Sequence, residues 1–445
     1  MAKESLDQSL VTEFAREFAA DRSARIVQNA VAESPIEKVA IDRAVVTSID
    51  PTMSVKVDKW PNTNQKKSGR CWLFAGLNSL KPAVYEDTNL KDFEFSQAYM
   101  FFWDKLEKSN YFLQAMIDMA DRDVDDRTVH HLLSDPIGDG GQWNMFVALI
   151  EKYGAVPKYA MPETESSSNS HSMDRTLEKL LRKGARDVRA AMRSGGAEAA
   201  AEVKLARLRE IYRVLAIHLG TPPEEFIWQY EDKDGNFHRE GKMSPLEFAA
   251  RYIPADLGEY VCLVNDPRES SPYGHVYTVN YLGNVLGAKP VTYLNVPIQV
   301  MRDAVVATLK EGHPVWMGCD TGKQADRERG IWDGKLFDYE GTYGVELDMS
   351  KADELLHGEA QMTHAMVFTG VDLVDEQPRR WRIENSWGDA IGDKGFFTMN
   401  DSWFDQHVFE IAVRRDKLSA ELLAALDEEP RVLPAWDPMG SLARG

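Results

Sequence analysis

A polar, glycine-bearing turn, Gln65-Lys66-Lys67-Ser68-Gly69-Arg70, runs directly into the apolar stretch Cys71-Trp72-Leu73-Phe74-Ala75, with a cysteine at the junction. A helix must begin where the turn ends, and the sulfur must ride on its first turn. The first backbone N–H groups of a helix lack intrahelical partners and carry the positive end of the dipole, so a thiol placed there is favoured as thiolate. Arg70 and the two lysines add to that field. Gln65, on the same turn, can aim its side-chain amide at an oxyanion formed beside the sulfur. A cysteine preceding an aromatic residue is ordinarily a small core side chain, but these neighbours favour a nucleophile.

The rest of the cysteine pattern bears on where such a thiol could work. Only Cys71, Cys262 and Cys319 occur in 445 residues, too few and too widely spaced for a disulfide framework or a four-ligand zinc site. A reducing, cytoplasmic setting is expected, and no metal or cofactor is called for. The first residues carry Glu4 and Asp7 and no apolar run before Leu10, so neither a signal peptide nor a membrane helix is expected. A formal charge of −19 argues against nucleic acid or an anionic membrane surface as partner.

Along the chain, Leu10, Phe14 and Phe18 recur at helical spacing within Ser5 to about Ala32. Ser34-Pro35-Ile36-Glu37 reads as a capping box, and the β-branched run Val45 to Ile49 as a strand. These first sixty residues are expected to pack on the body as an ordered arm. Pro82 marks the expected bend or end of the Cys71 helix, and Ser96 to about Asp121 is a second, aromatic-rich interior helix. The glycine-dense Gly138-Asp139-Gly140-Gly141-Gln142-Trp143 leads into another. Close to a reactive thiol, such glycines allow a substrate backbone to approach and pair with the main chain.

Asp174 to about Leu219 is strongly helical in composition and is broken by Gly195-Gly196. Thr221-Pro222-Pro223-Glu224 and Ser244-Pro245-Leu246-Glu247 read as helix starts, and Glu231 to Phe237, with its Asp-Gly turn, as a hairpin. The C-terminal third turns β-rich. Val291–Leu294 and Val315–Gly318 are short buried strands flanking a helix from Pro297 to about Lys310, Met362–Phe368 and Arg380–Asn385 form an antiparallel pair, and Gly395–Met399 adds a further strand.

A nucleophilic thiol needs a base and a group that orients the base. Among ten histidines, His364 stands apart: it lies on an expected strand between the small Thr363 and Ala365. A strand histidine is commonly a satisfied core residue, but Asn385-Ser386-Trp387-Gly388 shifts the balance. Its asparagine can orient an imidazole while the indole shields their hydrogen bond from water.

The Cys-His-Asn order with Asn-Ser-Trp-Gly resembles the papain-like cysteine peptidases. Ser68-Gly69-Arg70-Cys71-Trp72 shares the glycine, nucleophile and aromatic of the papain signature but has Ser68 at the signature's first cysteine, so no disulfide forms there. The likeness narrows to the bleomycin hydrolase and bacterial aminopeptidase C family, through Gln65–Trp72, Gly140–Trp143, Val264-Asn265-Asp266-Pro267-Arg268, Gly318-Cys319-Asp320, Met362–Met366 and the closing Leu433-Pro434-Ala435-Trp436-Asp437-Pro438-Met439-Gly440. These motifs run in the family's order along essentially the whole chain. Cys71 and His364 lie about 290 residues apart, against roughly 130–150 in the papain signature, which leaves room for a large helical insertion.

The resemblance implies an α+β papain-like fold, a helical subdomain beside an antiparallel β subdomain. The expected divisions are an N-terminal arm at 1–60, a helical half with the nucleophile at 61–154, a mainly helical insertion serving oligomerisation at 155–300, a β half with His364 and Asn385 at 301–415, and a C-terminal helix and tail at 416–445. It further implies Cys71 as nucleophile, His364 as base and then acid, Asn385 as orienting residue and Gln65 as oxyanion donor. Gly140, Gly141, Trp387, Ala443 and Gly445 are the implied substrate contacts. The implied activity is a cysteine aminopeptidase of broad specificity acting on peptides, assembled as a homohexamer with its sites facing an internal chamber. The tail would lie in the cleft, its terminal carboxylate meeting the substrate's α-ammonium group. Arg444-Gly445 extend past the usual family end, near Ala443, and are expected to be trimmed by the enzyme itself or to follow a different course. The alternative on the same triad is a thiol acyltransferase or amide hydrolase using a non-peptide substrate.

Overall fold

The computed structural model describes residues 6–443. Its centre is a twelve-stranded, mainly antiparallel sheet in the spatial order Arg431–Leu433, Val276–Val279, Tyr293–Asn295, Tyr260–Val264, Val408–Arg414, Val315–Cys319, His364–Val374, Gln377–Glu384, Phe396–Asn400, Ile331–Trp332 and Ala325–Asp326, with Val55–Lys56 alongside His364–Val374. Strand alternation divides the burial. Trp316, Ala365 and Val367 face the helices Cys71–Thr88, Gln97–Asp118 and Trp143–Tyr153, while Met317, Met366 and Phe368 face the helix Ile298–Lys310. The helical and β halves therefore meet along the strand that begins at His364. The register sets His364 opposite Cys319 and Val367 opposite Glu384, with Asn385 following directly after the second strand.

The segment 155–300, expected as a mainly helical insertion interrupted by short strands, is predominantly helical only in its first part. Helix His171–Leu219 doubles back at Gly196, whose φ of 76° breaks the helical path, and its first arm packs on Gln97–Asp118. A Cβ at Gly184 would stand 2.9 Å from Leu113, so the small residue sets that close approach. The hairpin Phe226–Glu231 with Phe237–Met243 forms as expected, and Ser244 with Glu247 forms a reciprocal capping box. The last part of the segment instead supplies the strands Tyr260–Val264, Val276–Val279 and Tyr293–Asn295 to the central sheet.

Other local expectations are corrected. Val45–Ile49 is not a strand: Asp42 accepts hydrogen bonds from the N–H groups of Ala44 and Val45 and starts the helix Arg43–Ser48. An aspartate cap outweighs a β-branched run that has no strand to pair with. Pro82 does not end its helix, which continues to Thr88; burial of Trp72, Leu73, Phe74, Leu77 and Val84 offsets a proline cost of about 3 kcal/mol. Ser34 forms no capping box, because Pro35 is itself the cap of the short helix Ile36–Ala40. No helix follows Thr221, where the chain enters the strand at Phe226. The N-terminal helix is divided at Asp21 into Gln8–Ala20 and Arg22–Glu33, and neither has a buried residue. Only from Ala40 onward does the arm bury side chains in the body, against Leu336 and Phe337.

One buried acid in this sheet gives a testable pH effect. Glu410 lies opposite Gly318 and Val264, fully buried against the Cys262 thiol, and burial pushes its carboxyl up from 4.5 to about 8. The folded state holds that proton more tightly than the unfolded state. Its contribution is therefore complete below pH 4.5 and is lost as pH rises toward 8, by up to about 1.4 kcal/mol per pH unit. Glu410→Gln is expected to remove this slope. Urea unfolding at pH 5 and pH 8 checks it, and parallel losses in wild type and variant would count against the assignment.

Candidate active site

The helix that begins at Cys71 is capped by Arg70 without a side-chain hydrogen bond; the turn is held from outside. Asp139 accepts hydrogen bonds from Gly69 N at 2.9 Å and from Ser170 Oγ at 2.6 Å, and its own backbone oxygen accepts from Trp72 Nε1 at 2.7 Å. Burial opposes the Asp139 charge, but Lys105, 2.6 Å away, outweighs it and holds the carboxyl well below its usual range. Arg70 is completely buried, donates twice to Glu163 at 3.0 and 2.7 Å, and lies against the rings of Phe74 and Phe101. The expectation that Arg70 would strengthen the field at the sulfur is corrected accordingly: its charge is spent on Glu163.

Cys71 itself is 4% exposed. Burial pushes its thiol up to about 11, opposed by the backbone N–H groups of Ala365, Trp72 and Cys71 that bear on the sulfur. Ala365 follows His364 on the strand, so the backbone next to His364 reaches the sulfur across the seam between the two halves. His364 Nε2 lies 2.8 Å from Asn385 Oδ1. That same oxygen accepts from Ser386 N at 2.7 Å, which fixes the orientation of the amide. Nε2 must therefore carry the proton, leaving the Nδ1 lone pair as the base. Trp387 lies against the imidazole with ring centres 5.1 Å apart. Burial pushes the imidazole down to about 4, while the Asn385 hydrogen bond opposes the shift.

Burial thus penalises a lone thiolate and a lone imidazolium alike. A proton transfer from Sγ to Nδ1 would create both charges together, with no net charge and with mutual attraction in low-dielectric surroundings.

Gln65 is buried on the same turn. Its Nε2 donates to Ser68 O at 2.7 Å, and its Oε1 accepts from Ser386 Oγ, which leaves one amide N–H uncommitted. The turn is thereby tied to the loop that carries Asn385 and Trp387. The two glycines have packing roles. A Cβ on Gly141 would stand 2.4 Å from the Trp72 ring, and Gly140 O accepts a hydrogen bond from Lys108 Nζ.

The C-terminal segment crosses both halves. Trp436 lies under the Arg127 guanidinium at 3.8 Å, and His131 Nε2 donates to Ala435 O at 2.8 Å. Asp437 pairs at 3.0 Å with Arg268, which Asp266 also holds. Met439 O accepts from Tyr293 OH at 3.1 Å and from Gln142 Nε2 at 3.4 Å, and Ser441 Oγ donates to Met362 O at 2.8 Å. A Cβ on Gly318 would come within 3.2 Å of Leu442, so that glycine makes room for the tail. Ala443 lines a small cavity with Lys108, Tyr111 and Gly138. Gly445, like Arg444, lies outside the described residues.

Sequence reasoning missed the Asp139–Lys105 brace and the partner of Arg70. It singled out Val264–Arg268 without a role, and the contact with Asp437 supplies one. Among the described residues no cluster of three or more metal-ligating side chains occurs, and no helix is long and apolar enough to cross a membrane.

Comparison with known proteins identifies the family. The Peptidase C1-like family matches residues 5–440. The chain is 44% identical to aminopeptidase C of Streptococcus thermophilus, covering 98% of this chain and 99% of that one. It is 40% identical to human bleomycin hydrolase, with each chain covered completely. The crystal structure of PepW from Lactobacillus rhamnosis superposes with a TM-score of 0.96 at 41% identity, covering 99% of each chain. With an α+β fold of papain-like type and similarity over its whole length, the chain belongs to the Peptidase C1-like family.

Proposed function

We propose that this cysteine-type aminopeptidase removes N-terminal residues from peptides with broad specificity, through Cys71, His364 and Asn385. The observation that carries the reading is the doubly anchored Asn385 Oδ1, which holds His364 as the Nε2-H tautomer while Ala365 N–H bears on the sulfur. The Cys71 thiol passes its proton to His364 Nδ1, and the sulfur attacks the first peptide carbonyl. The oxyanion that forms is met by the Cys71 backbone N–H and the uncommitted Gln65 amide proton. His364 gives its proton to the departing amine, and water, deprotonated by the same imidazole, releases the amino acid from the thioester. Gly140 and Gly141 border the cleft, Trp387 flanks the leaving side, and the segment ending at Ala443 closes the other side. The terminal carboxylate, carried by Gly445 unless the last residues are trimmed, receives the substrate's α-ammonium group.

An amino-acid chloromethyl ketone with a free amine tests the assignment of the nucleophile. Peptide mapping is expected to find the label on Cys71 in step with inactivation, with Cys262 and Cys319 unlabelled. Inactivation accompanied by label only at another cysteine would overturn it.

The same reading includes a cytoplasmic, homohexameric enzyme whose assembly restrains proteolysis. In support, all three cysteines are free, and the helix Gln8–Ala20 leaves Val11, Phe14 and Phe18 exposed within one chain, a stripe that association would cover. Sedimentation is expected to give six copies of the 50.3 kDa chain, and Phe14→Asp with Phe18→Asp to lower that mass. A monomer at micromolar concentration would refute the assembly.

A further inference from the structure

The reaction described above leaves open what holds the departing part of the substrate. That part must start at His364, since the imidazole protonates its nitrogen, and extend over Trp387, whose ring lies 5.1 Å from the imidazole. On Trp387 sits a second group that the mechanism does not use. The guanidinium of Arg327 stands 4.2 Å from the indole centre, and its charge is close enough to the buried imidazole to oppose protonation of His364.

Arg327 lies at the tip of a tight turn between the strands Ala325–Asp326 and Ile331–Trp332. Asp326 closes that turn: its carboxylate accepts from Arg329 N at 2.9 Å, and its backbone oxygen accepts from Gly330 N at 2.9 Å. Gly330 then packs so tightly on Gly392 that a Cβ would stand 2.5 Å from it. The Asp326 carboxylate is engaged by Arg329. Among the described residues Arg327 forms no ion pair, its side chain is exposed, and its stem is held by a fixed turn.

In a chain of formal charge −19, an uncompensated guanidinium stacked on an aromatic wall of the cleft is chemically distinctive. Its planar fork suits a carboxylate, and stacking pre-orients it. The distances then set the length of the partner. The guanidinium is within roughly 9 Å of the imidazole, and a hydrogen bond at each end of the leaving group spans about 3 Å. What remains, about 3 Å, fits one residue at up to about 3.6 Å.

We propose that Arg327 is a specificity-determining residue on the leaving side, binding the carboxylate of a one-residue leaving group, so that dipeptides with a free C-terminus are the favoured substrates. This rests on the Cys71–His364 reading above and deepens it. A carboxylate there could come from the peptide's C-terminus or from an acidic side chain; the reach from His364 favours the C-terminus.

The test compares alanyl-leucine with alanyl-leucine amide in wild type, Arg327→Gln and Arg327→Lys. For wild type kcat/KM is expected to favour the free acid by about fivefold, a modest factor because the pair is exposed, with the difference carried by KM. In Arg327→Gln the acid-to-amide ratio is expected to fall to about one, and in Arg327→Lys to lie between. A hexapeptide and its amide, whose end lies beyond reach, are expected to show no preference in any variant. An acid-to-amide ratio unchanged by Arg327→Gln would overturn the proposal. A Glu-over-Gln preference in amidated peptides that depends on Arg327, without one for free C-termini, would overturn the C-terminal assignment and give the site to an acidic side chain. If wild type cleaves none of these peptides, the active-site reading itself fails, an outcome distinct from a ratio that ignores Arg327.

Discussion

Cys71→Ala is expected to lower peptide hydrolysis by at least about 10⁴-fold while leaving the fold intact. The sulfur is the only atom lost. Its surroundings are fixed by groups that do not depend on it: Asp139 on Gly69 N, Glu163 on Arg70, and the Trp72 indole on Asp139 O. Removing the thiol from a corner where it is 4% exposed costs stability only on the scale of a small buried group, about 1 kcal/mol. Single-turnover hydrolysis of an aminoacyl amide and thermal unfolding measure the two effects separately. Retained turnover would overturn the assignment, and a collapse of stability would mean that the cysteine is primarily a core residue. The wild-type pH profile adds an independent check. In the proposed mechanism the Cys71–His364 pair is neutral overall whichever partner holds the proton, so the enzyme's own acylation rate is expected to be flat across neutral pH. It should fall where the imidazole gains a proton, near 4, and where the thiol loses one, near 11.

The candidate site could be assembled from sequence because its parts are local signals. The Gly69–Cys71 junction, Asn385-Ser386-Trp387 and the placement of His364 on a strand each depend on a few neighbouring residues, as do the Asp-Gly turn of the 226–243 hairpin and the Ser244–Glu247 capping box. What escaped depends on pairing across the chain. Nothing near Arg70 announces Glu163, and nothing near Tyr260–Val264 tells that this strand pairs with Val408–Arg414, so a segment rich in helix formers absorbed it. The helix Arg43–Ser48 escaped for the opposite reason, since a single cap at Asp42 decided against a β-branched composition. The exposed face of Gln8–Ala20 shows a further limit: periodicity reveals an apolar stripe but not what covers it.

The second large effect concerns the tail, whose course explains two motifs that the catalytic chemistry leaves unused. Asp266 and Arg268 hold Asp437, and Tyr293 and Gln142 hold Met439 O, so Leu442 is delivered beside Gly318, one residue before the partner of His364. In the proposed reading the terminal carboxylate meets a substrate ammonium group, and such a pair is worth roughly 2–5 kcal/mol, or on the order of thirtyfold to several thousandfold. Ending the chain at Leu442 keeps the anchors Trp436, Met439 and Leu442 but withdraws the carboxylate by as much as about 10 Å. The full chain is expected to prefer a free-amine aminoacyl amide over its N-acetyl twin by that factor. The shortened chain should lose most of the preference, through poorer use of the free amine and gain of the acetylated substrate, while Cys71 still reacts with iodoacetamide. Arg268→Gln, which releases Asp437 without shortening the chain, is expected to fall between. Intact mass of wild type and Cys71→Ala tells which residue bears the carboxylate, since self-trimming of Arg444-Gly445 would leave the inactive variant two residues longer. Equal discrimination by the full and shortened chains would assign amine recognition to the cleft walls instead of the tail.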